Sequence, residues 1–241
     1  MTDYEYLART VGELPPGSAG YAAAATRTAL ARWAAGALRE VADGTRPVRA
    51  VRHPLGFTCL PLERAAGDGV CVHLWSPRVE RAGLTTSEVH AHCWELASYV
   101  LFGRLDNQVM VVGDAAGLHE GGTWPEGLYR VLDVRVGGDG DELVPTARFV
   151  HCVPGQRQSV ATGDAYSLPA GAFHATDVPP GTETATIVLG RLVPGAPDWA
   201  LGRPNSDPHR VRRRVHDAAR TAAIARVILG RLLAATPAAR D

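Results

Sequence analysis

The spacing of hydrophobic and polar positions first indicates a helix. Between residues 18 and 43 apolar side chains recur at helical spacing in an alanine-rich segment. Ser18 is suited to cap its beginning, and Gly44 followed by Pro47 is suited to end it. The apolar face of this predicted helix consists of Leu30, Trp33, Ala34, Ala37, Leu38 and Val41.

From Val48 to Val193 the pattern changes to short segments rich in Val, Leu, Tyr and Thr, separated by Gly- and Pro-containing turns. We predict strands near residues 56–62, 70–76, 88–93, 97–103, 107–112, 129–136, 147–153, 158–161, 165–168, 172–176 and 184–192. Strands at this density, without helices between them, predict an all-β core in the form of a sandwich or barrel.

The final part of the chain is predicted to be helical again, after a Pro/Gly-rich connector over 194–208. Its apolar face would comprise Val211, Val215, Ala218, Ala222, Ala225, Leu229 and Leu232. Its opposite face would carry Arg210, Arg212, Arg213, Arg214, Arg220 and Arg226. We expect this helix to dock on the core with a solvated basic face, the alternative being a contact with an anionic partner or a second copy. The sequence therefore divides into an N-terminal helical extension (1–47), a strand-rich core (48–193), and a connector with a C-terminal helix (194–241).

Charge and composition exclude several function classes. The 241 residues carry 25 basic and 25 acidic side chains, and every basic one is Arg. A net charge of zero argues against a nucleic-acid binder. The absence of Lys excludes Schiff-base chemistry on the protein and the phosphate-binding P-loop.

Nothing in the sequence predicts export or membrane insertion. No apolar run reaches 18 residues, and the first residues include Asp3 and Glu5 in place of a basic segment. Cys59, Cys71, Cys93 and Cys152 lack paired spacing, so we expect reduced thiols in a cytoplasmic protein.

Three histidines form the candidate metal site. His90 and His92 are two residues apart in a predicted strand, so both side chains point to one face. His174 follows a turn in the segment Gly163-Asp-Ala-Tyr-Ser-Leu-Pro-Ala-Gly-Ala-Phe-His174 and supplies a third imidazole.

These two segments resemble the two sequence motifs of the cupin superfamily. The second motif matches at Gly163, Pro169, Gly171 and His174, and the first matches at His90, His92 and Gly103. The resemblance covers roughly residues 50–193 and implies a cupin jelly-roll barrel, here with helical N- and C-terminal extensions.

The first motif departs from the family pattern at its acidic position. Leu96 stands where the acid is expected, and Glu95 is one residue early and by alternation faces away. We therefore expect His90, His92 and His174 to bind the metal without a carboxylate, although a β-bulge could turn Glu95 inward.

A cupin that lacks this acid is similar to the thiol dioxygenases. That resemblance implies Fe(2+) as the cofactor, with O2 and a small chelating thiol such as cysteine as reactants. The hypothesis is an iron dioxygenase that requires no cofactor other than the iron, and natural-product biosynthesis is a compatible setting. One alternative is a metal-dependent isomerase, epimerase or decarboxylase, and another is a non-catalytic ligand-binding cupin. A 2-oxoglutarate-dependent hydroxylase fits less well, since it normally uses two His and one carboxylate.

Further residues are candidates for the pocket. Tyr166, His73 and His151 are proposed catalytic or pocket-lining groups, each with a purely structural role as its alternative. His53 is expected near the barrel mouth, and Cys93 is expected to point away from the metal. Trp94 and Phe173 are expected to line the pocket or pack in the core. The candidates for holding a substrate carboxylate are Arg49, Arg52, Arg78, Arg104 and Arg191.

The expected partners follow from this interpretation. They are a small-molecule substrate and O2, with no nucleic acid and no membrane. By analogy with cupins that pair through strands or helices, a homodimer is possible.

Overall fold

The structure is a computed structural model that describes residues 1–12, 21–79, 82–115, 125–138 and 140–235. Its helices are α1 (Asp3–Gly12), α2 (Tyr21–Asp43) and α3 (Ala218–Ala235). Its strands are β1 (Val51–Arg52), β2 (Thr58–Ala65), β3 (Asp68–Trp75), β4 (His90–Ala91), β5 (Trp94–Phe102), β6 (Arg104–Asp114), β7 (Leu128–Gly137), β8 (Gly140–Ala161), β9 (Ala165–Leu168), β10 (His174–Asp177), β11 (Thr184–Leu192), β12 (Trp199–Gly202), β13 (His209–Val211) and β14 (Arg214–Val215).

The strands form two seven-stranded antiparallel sheets. The first has the order β14-β1-β2-β3-β11-β5-β9, and the second has the order β13-β8-β6-β10-β4-β12-β7, with β8 also pairing with β7. This two-sheet core with helices at both ends confirms the predicted fold class, an all-β jelly roll with helical extensions.

Alternation along β3 separates the hydrophobic core from a cavity. Val70, Val72 and Leu74 belong to the same buried cluster as residues of α1, α2 and α3. The intervening side chains of Cys71 and His73 line a cavity instead. The helices therefore cover one face of the first sheet and leave its other face to the cavity.

Local hydrogen bonds explain where the terminal helices begin. In α1, Thr2 Oγ1 accepts from the amide of Glu5, and the Glu5 carboxylate accepts from the amide of Thr2, which together form a capping box. In α3, Asp217 Oδ1 accepts from the amide of Arg220 at 2.7 Å. The helix therefore begins after Asp217.

The prediction of a helix from about residue 211 is wrong over its first part. Val211 lies in β13 beside Asp141, and Val215 lies in β14 beside Val51. The arginines at 210 and 212–214 consequently lie on or beside short strands and do not form a helical face. Pairing with strands distant in sequence overrides the apolar spacing in this segment.

Most predicted strands are present, with shifted ends. The segments 147–153 and 158–161 form one continuous strand, β8, and the predicted connector contains β12, so the sheets extend beyond residue 193. The predicted helix over 18–43 is observed as Tyr21–Asp43, and Ser18 lies outside the described residues. Helix α1 has no counterpart among the predicted elements.

Among the described helices, none has the length and hydrophobicity needed to cross a membrane.

Candidate metal centre

The second sheet brings the two histidine segments together. His90 in β4 is the direct antiparallel partner of His174 in β10. The Pro169–Gly171 turn precedes β10, and the amide of Gly171 donates to the carbonyl of His92 at 2.8 Å. At this turn Gly171 adopts a positive φ of 77°, which favours glycine. Strand pairing and turn geometry thus position all three histidines.

The three imidazole rings converge on one point. Ring centroids are 4.3 Å apart for His90 and His174, 4.7 Å for His90 and His92, and 5.2 Å for His92 and His174. One ring nitrogen from each histidine lies within 4.8 Å of the other two. This spacing suits three nitrogen donors to a single ion.

Backbone carbonyls determine which ring nitrogens remain available. His90 Nδ1 lies 2.9 Å from the carbonyl oxygen of Glu88, and His174 Nδ1 lies 3.1 Å from that of Ala172. A carbonyl oxygen can only accept a hydrogen bond, so Nδ1 of each ring carries the proton. The lone pair of Nε2 therefore remains free to bind a metal. His92 Nδ1 lies 3.9 Å from Oδ1 of Asp198.

Burial keeps the three rings neutral. Loss of hydration, together with the neighbouring His174, lowers the pKa of His90 to about 3. Burial likewise lowers the pKa of His92 and His174, with His90 adding to the effect on His92. Neutral imidazole is the form that binds metal, so the apo site needs no deprotonation at neutral pH.

The acidic position of the first motif is occupied by an apolar side chain. Leu96 is buried and lines the cavity beside the triad. Glu95 is exposed on the opposite face of β5, where it pairs in register with Arg191. The geometry therefore agrees with a ligand set from which Glu95 is absent.

The histidines open into a cavity of 790 Å³ between the sheets. His73, Tyr166 and His53 line it, whereas His151 is exposed on β8 and does not. The prediction of a pocket role for His151 is therefore wrong, because β8 turns this side chain outward while Val150 and Cys152 point into the core.

Trp94 forms the wall next to the triad. Its ring stacks on His92 with centroids 4.1 Å apart and planes 18° apart. A Cβ added at Gly190 would lie 2.8 Å from Cε3 of Trp94, so this glycine leaves the space that the indole needs. Phe173 instead stacks on Trp199 in a separate buried cluster and is a core residue.

None of the five arginines proposed for substrate binding lines the cavity. Arg78 lies beside Glu183, and Arg191 pairs with Asp68 over the ring of Tyr4. In the part of the chain that the structure describes, the lining arginines are Arg64 and Arg213. Arg64 and Arg213 therefore replace the five predicted arginines as candidates for holding a substrate carboxylate.

Sequence reasoning also missed lining groups that come from distant segments. Asp198 lies in the predicted connector, and Arg213, which donates to Asp141 at 2.7 Å, lies in the predicted helix. Cys59 and Cys71 line the cavity as well, and all four cysteines are free thiols. The available signal was the Cys71-Val72-His73 segment, which repeats the i, i+2 spacing of His90 and His92.

Comparisons with known proteins give distant matches. No family model matches the sequence, and no curated protein matches it. Hydroxypropylphosphonic acid epoxidase from S. wedmorenis is 12% identical with a TM-score of 0.32, over 60% of this chain and 55% of that one. A structure of FeII HppE is 12% identical with a TM-score of 0.30, over 56% of this chain and 50% of that one.

A third match is a protein of unknown function with a cupin-like fold from Ralstonia eutropha JMP134. It is 12% identical with a TM-score of 0.33, over 77% of this chain and 80% of that one. The chain spans about half the length of the first two structures. Similarity at this level does not establish a shared chemistry.

Proposed function

We propose that the protein is an Fe(II)-dependent dioxygenase in which His90, His92 and His174 hold the iron. The observation that carries the proposal is the convergence of three neutral imidazoles with a buried leucine in place of a carboxylate. When bound, the iron would supply oxygen activation and open positions for a chelating substrate. Imidazole nitrogens are suitable ligands for iron, and all three protein donors at this site are imidazoles.

The charge of the ion favours an anionic ligand. Three neutral imidazoles leave its double positive charge uncompensated. Among the described residues, the cavity lining adds the arginines Arg64 and Arg213, the second paired with Asp141, and the carboxylates of Asp68, Glu88 and Asp198. A thiolate and an amine could both bind the ion, and a carboxylate on the same substrate could accept hydrogen bonds from a guanidinium. Cysteine and related small thiols are therefore the first substrates to test.

Apolar side chains would limit water near the triad. Trp94 covers one face of His92, and Leu96 and Val188 line the adjoining wall. Tyr166 lines the same cavity, and burial raises the pKa of its hydroxyl, so it would remain a neutral donor for a bound substrate.

The test is O2 consumption by untagged protein loaded anaerobically with ferrous iron, over a panel of thiols and amino acids. We expect uptake with at least one thiol, lost in His174→Ala and retained in His151→Ala, whose side chain is exposed. Failure of every thiol to support uptake would refute the proposed substrate class.

A second candidate is a metal-dependent isomerase, epimerase or decarboxylase. Its support is the position of the Asp198 carboxylate, which lines the cavity 3.9 Å from His92 and could exchange a proton with substrate. This candidate requires turnover without O2 and activity with Mn(II) or Zn(II), whereas the oxygenase requires both O2 and iron.

A further inference from the structure

A second group of metal-binding side chains faces the same cavity from the first sheet. Cys59 in β2 is the direct antiparallel partner of His73 in β3. Cys71 lies two residues before His73 and shares its face of the strand. Two thiols and an imidazole from a single hairpin thus meet on the wall opposite the sheet that carries His90 and His174.

The spacing of these donors fits one ion. One ligand atom from each of Cys59, Cys71 and His73 lies within 4.8 Å of the other two. Both thiols are buried, and the ring of His73 packs against those of Phe57 and Trp75 at centroid distances of 4.3 and 5.9 Å. The ring contacts restrict the imidazole before any ion arrives.

The surroundings favour a thiolate at this point. Arg64 Nη2 lies 3.5 Å from Sγ of Cys71, and Gly69 leaves room for the folded-back guanidinium, since a Cβ there would lie 3.3 Å from Nη1. Metal-binding cysteines act as thiolates, and the Arg64 guanidinium lies beside the sulfur that would carry this negative charge.

We propose that Cys59, Cys71 and His73 form a second metal site, which binds a zinc-class divalent ion and leaves a coordination position open toward the cavity. Two sulfurs and one imidazole nitrogen are the donors that zinc prefers, and three protein ligands are typical of zinc sites that also bind water or substrate. The proposal is independent of the function assigned to the histidine triad, because the two groups share no ligand.

Cobalt(II) is the most informative probe, because thiolate ligation gives a sulfur-to-cobalt charge-transfer absorption that imidazole ligation does not give. Untagged, reduced protein is titrated anaerobically with Co(II), and the band is recorded for wild type, Cys59→Ser, Cys71→Ser and His73→Ala. Two control variants each remove one of the other thiols: Cys152→Ser, in a separate buried cluster, and Cys93→Ser, at the cavity wall. His90→Ala tests independence from the triad.

We expect the band in wild type and in Cys152→Ser, Cys93→Ser and His90→Ala, and its loss in Cys59→Ser and Cys71→Ser. We expect His73→Ala to weaken Co(II) binding at the thiolate site by more than about 100-fold, beyond the loss seen when an outer-shell partner is removed. A cooperative thermal unfolding transition of Cys71→Ser, recorded beside that of wild type, shows that the variant is folded. Zn(II) should compete the band away and protect Cys59 and Cys71 from alkylation, read by peptide mass spectrometry.

Three results would overturn the proposal. One is the absence of a charge-transfer band in wild type, and another is a band that disappears with Cys93→Ser but persists in Cys71→Ser. The third is unchanged alkylation of Cys59 and Cys71 in saturating Zn(II). Loss of iron binding at the triad would leave this test intact, so the two assignments fail separately.

Discussion

His90 and His174 are opposed partners across β4 and β10, with ring centroids 4.3 Å apart. Each directs Nδ1 to a backbone carbonyl two residues before it, at Glu88 and Ala172. The strand pairing itself therefore orients two Nε2 atoms toward the same point, before a metal is bound.

Removal of either ring should abolish metal binding at the triad. We expect His90→Ala and His174→Ala to lower iron affinity by more than about 100-fold, since loss of a direct ligand exceeds the effect of losing an outer-shell partner. Iron content after anaerobic loading, measured by elemental analysis, checks this. His151→Ala is the matched control, and iron loss in that variant as great as in His174→Ala would contradict the assignment.

Glu95 should be dispensable for the metal. Its side chain is exposed on the far face of β5, so we expect Glu95→Gln to change iron affinity by less than about twofold, against the about 10–100-fold typical of supporting residues. Competition with a chromophoric chelator measures the affinity. A larger loss would mean that a bulge brings the carboxylate to the ion.

Gly190 should be required for the wall beside His92. We expect Gly190→Ala to cost about 1–3 kcal/mol in the free energy of unfolding, because its Cβ would overlap Trp94. Iron affinity should also fall as the indole is displaced toward His92. Denaturant unfolding and iron titration measure the two effects.

The control is Gly230→Ala in α3, which has open space around it and should stabilise the helix by about 0.5–1 kcal/mol. If Gly190→Ala leaves stability and iron affinity unchanged, the proposed packing constraint is wrong.

Glu183 should make stability depend on pH. A hydrogen bond from Ser76 at 2.7 Å and an ion pair with Arg231 at 2.6 Å lower the pKa of its carboxyl. A lowered folded-state pKa gives stability that is complete above the unfolded value of about 4.3 and is lost as pH falls through the folded value. We expect Glu183→Gln to cost about 1–3 kcal/mol at pH 7 and progressively less in acid.

Thermal unfolding of both proteins across this pH range provides the measurement. Arg78→Gln is the control: its side chain is 69% exposed and lies 3.5 Å from Glu183, so a change below about 1 kcal/mol is expected. A gap between wild type and Glu183→Gln that widens in acid would contradict the sign of the pKa shift.

The histidine triad was predictable because its two segments resemble two motifs that occur together in one fold, and this resemblance supplied the long-range pairing that local spacing does not specify. The i, i+2 spacing of His90 and His92 and the turn before His174 determine which faces the rings occupy. The cavity side of β8 was not predictable: its exposed face carries Val153 beside His151, so alternation of polarity does not distinguish the two sides.

The missed residues depend on contacts between distant segments. Arg213 reaches the cavity because β13 and β14 pair with β8 and β1, contacts that no window around residue 213 contains. Cys59 and Cys71 appear as isolated cysteines in the sequence and meet because β2 and β3 form a hairpin with His73 opposite Cys59. Hydrophobic spacing alone does not specify strand register.

The central claim is that His90, His92 and His174 hold one ion without a carboxylate ligand. Anomalous diffraction at the iron absorption edge, from crystals of untagged protein loaded anaerobically with ferrous iron, tests it most directly. The account predicts an anomalous peak bonded to Nε2 of all three histidines, with no carboxylate oxygen of the protein in the coordination sphere. A peak that includes Glu95 or Asp198 as a ligand, or no peak within the triad at full iron loading, would contradict it.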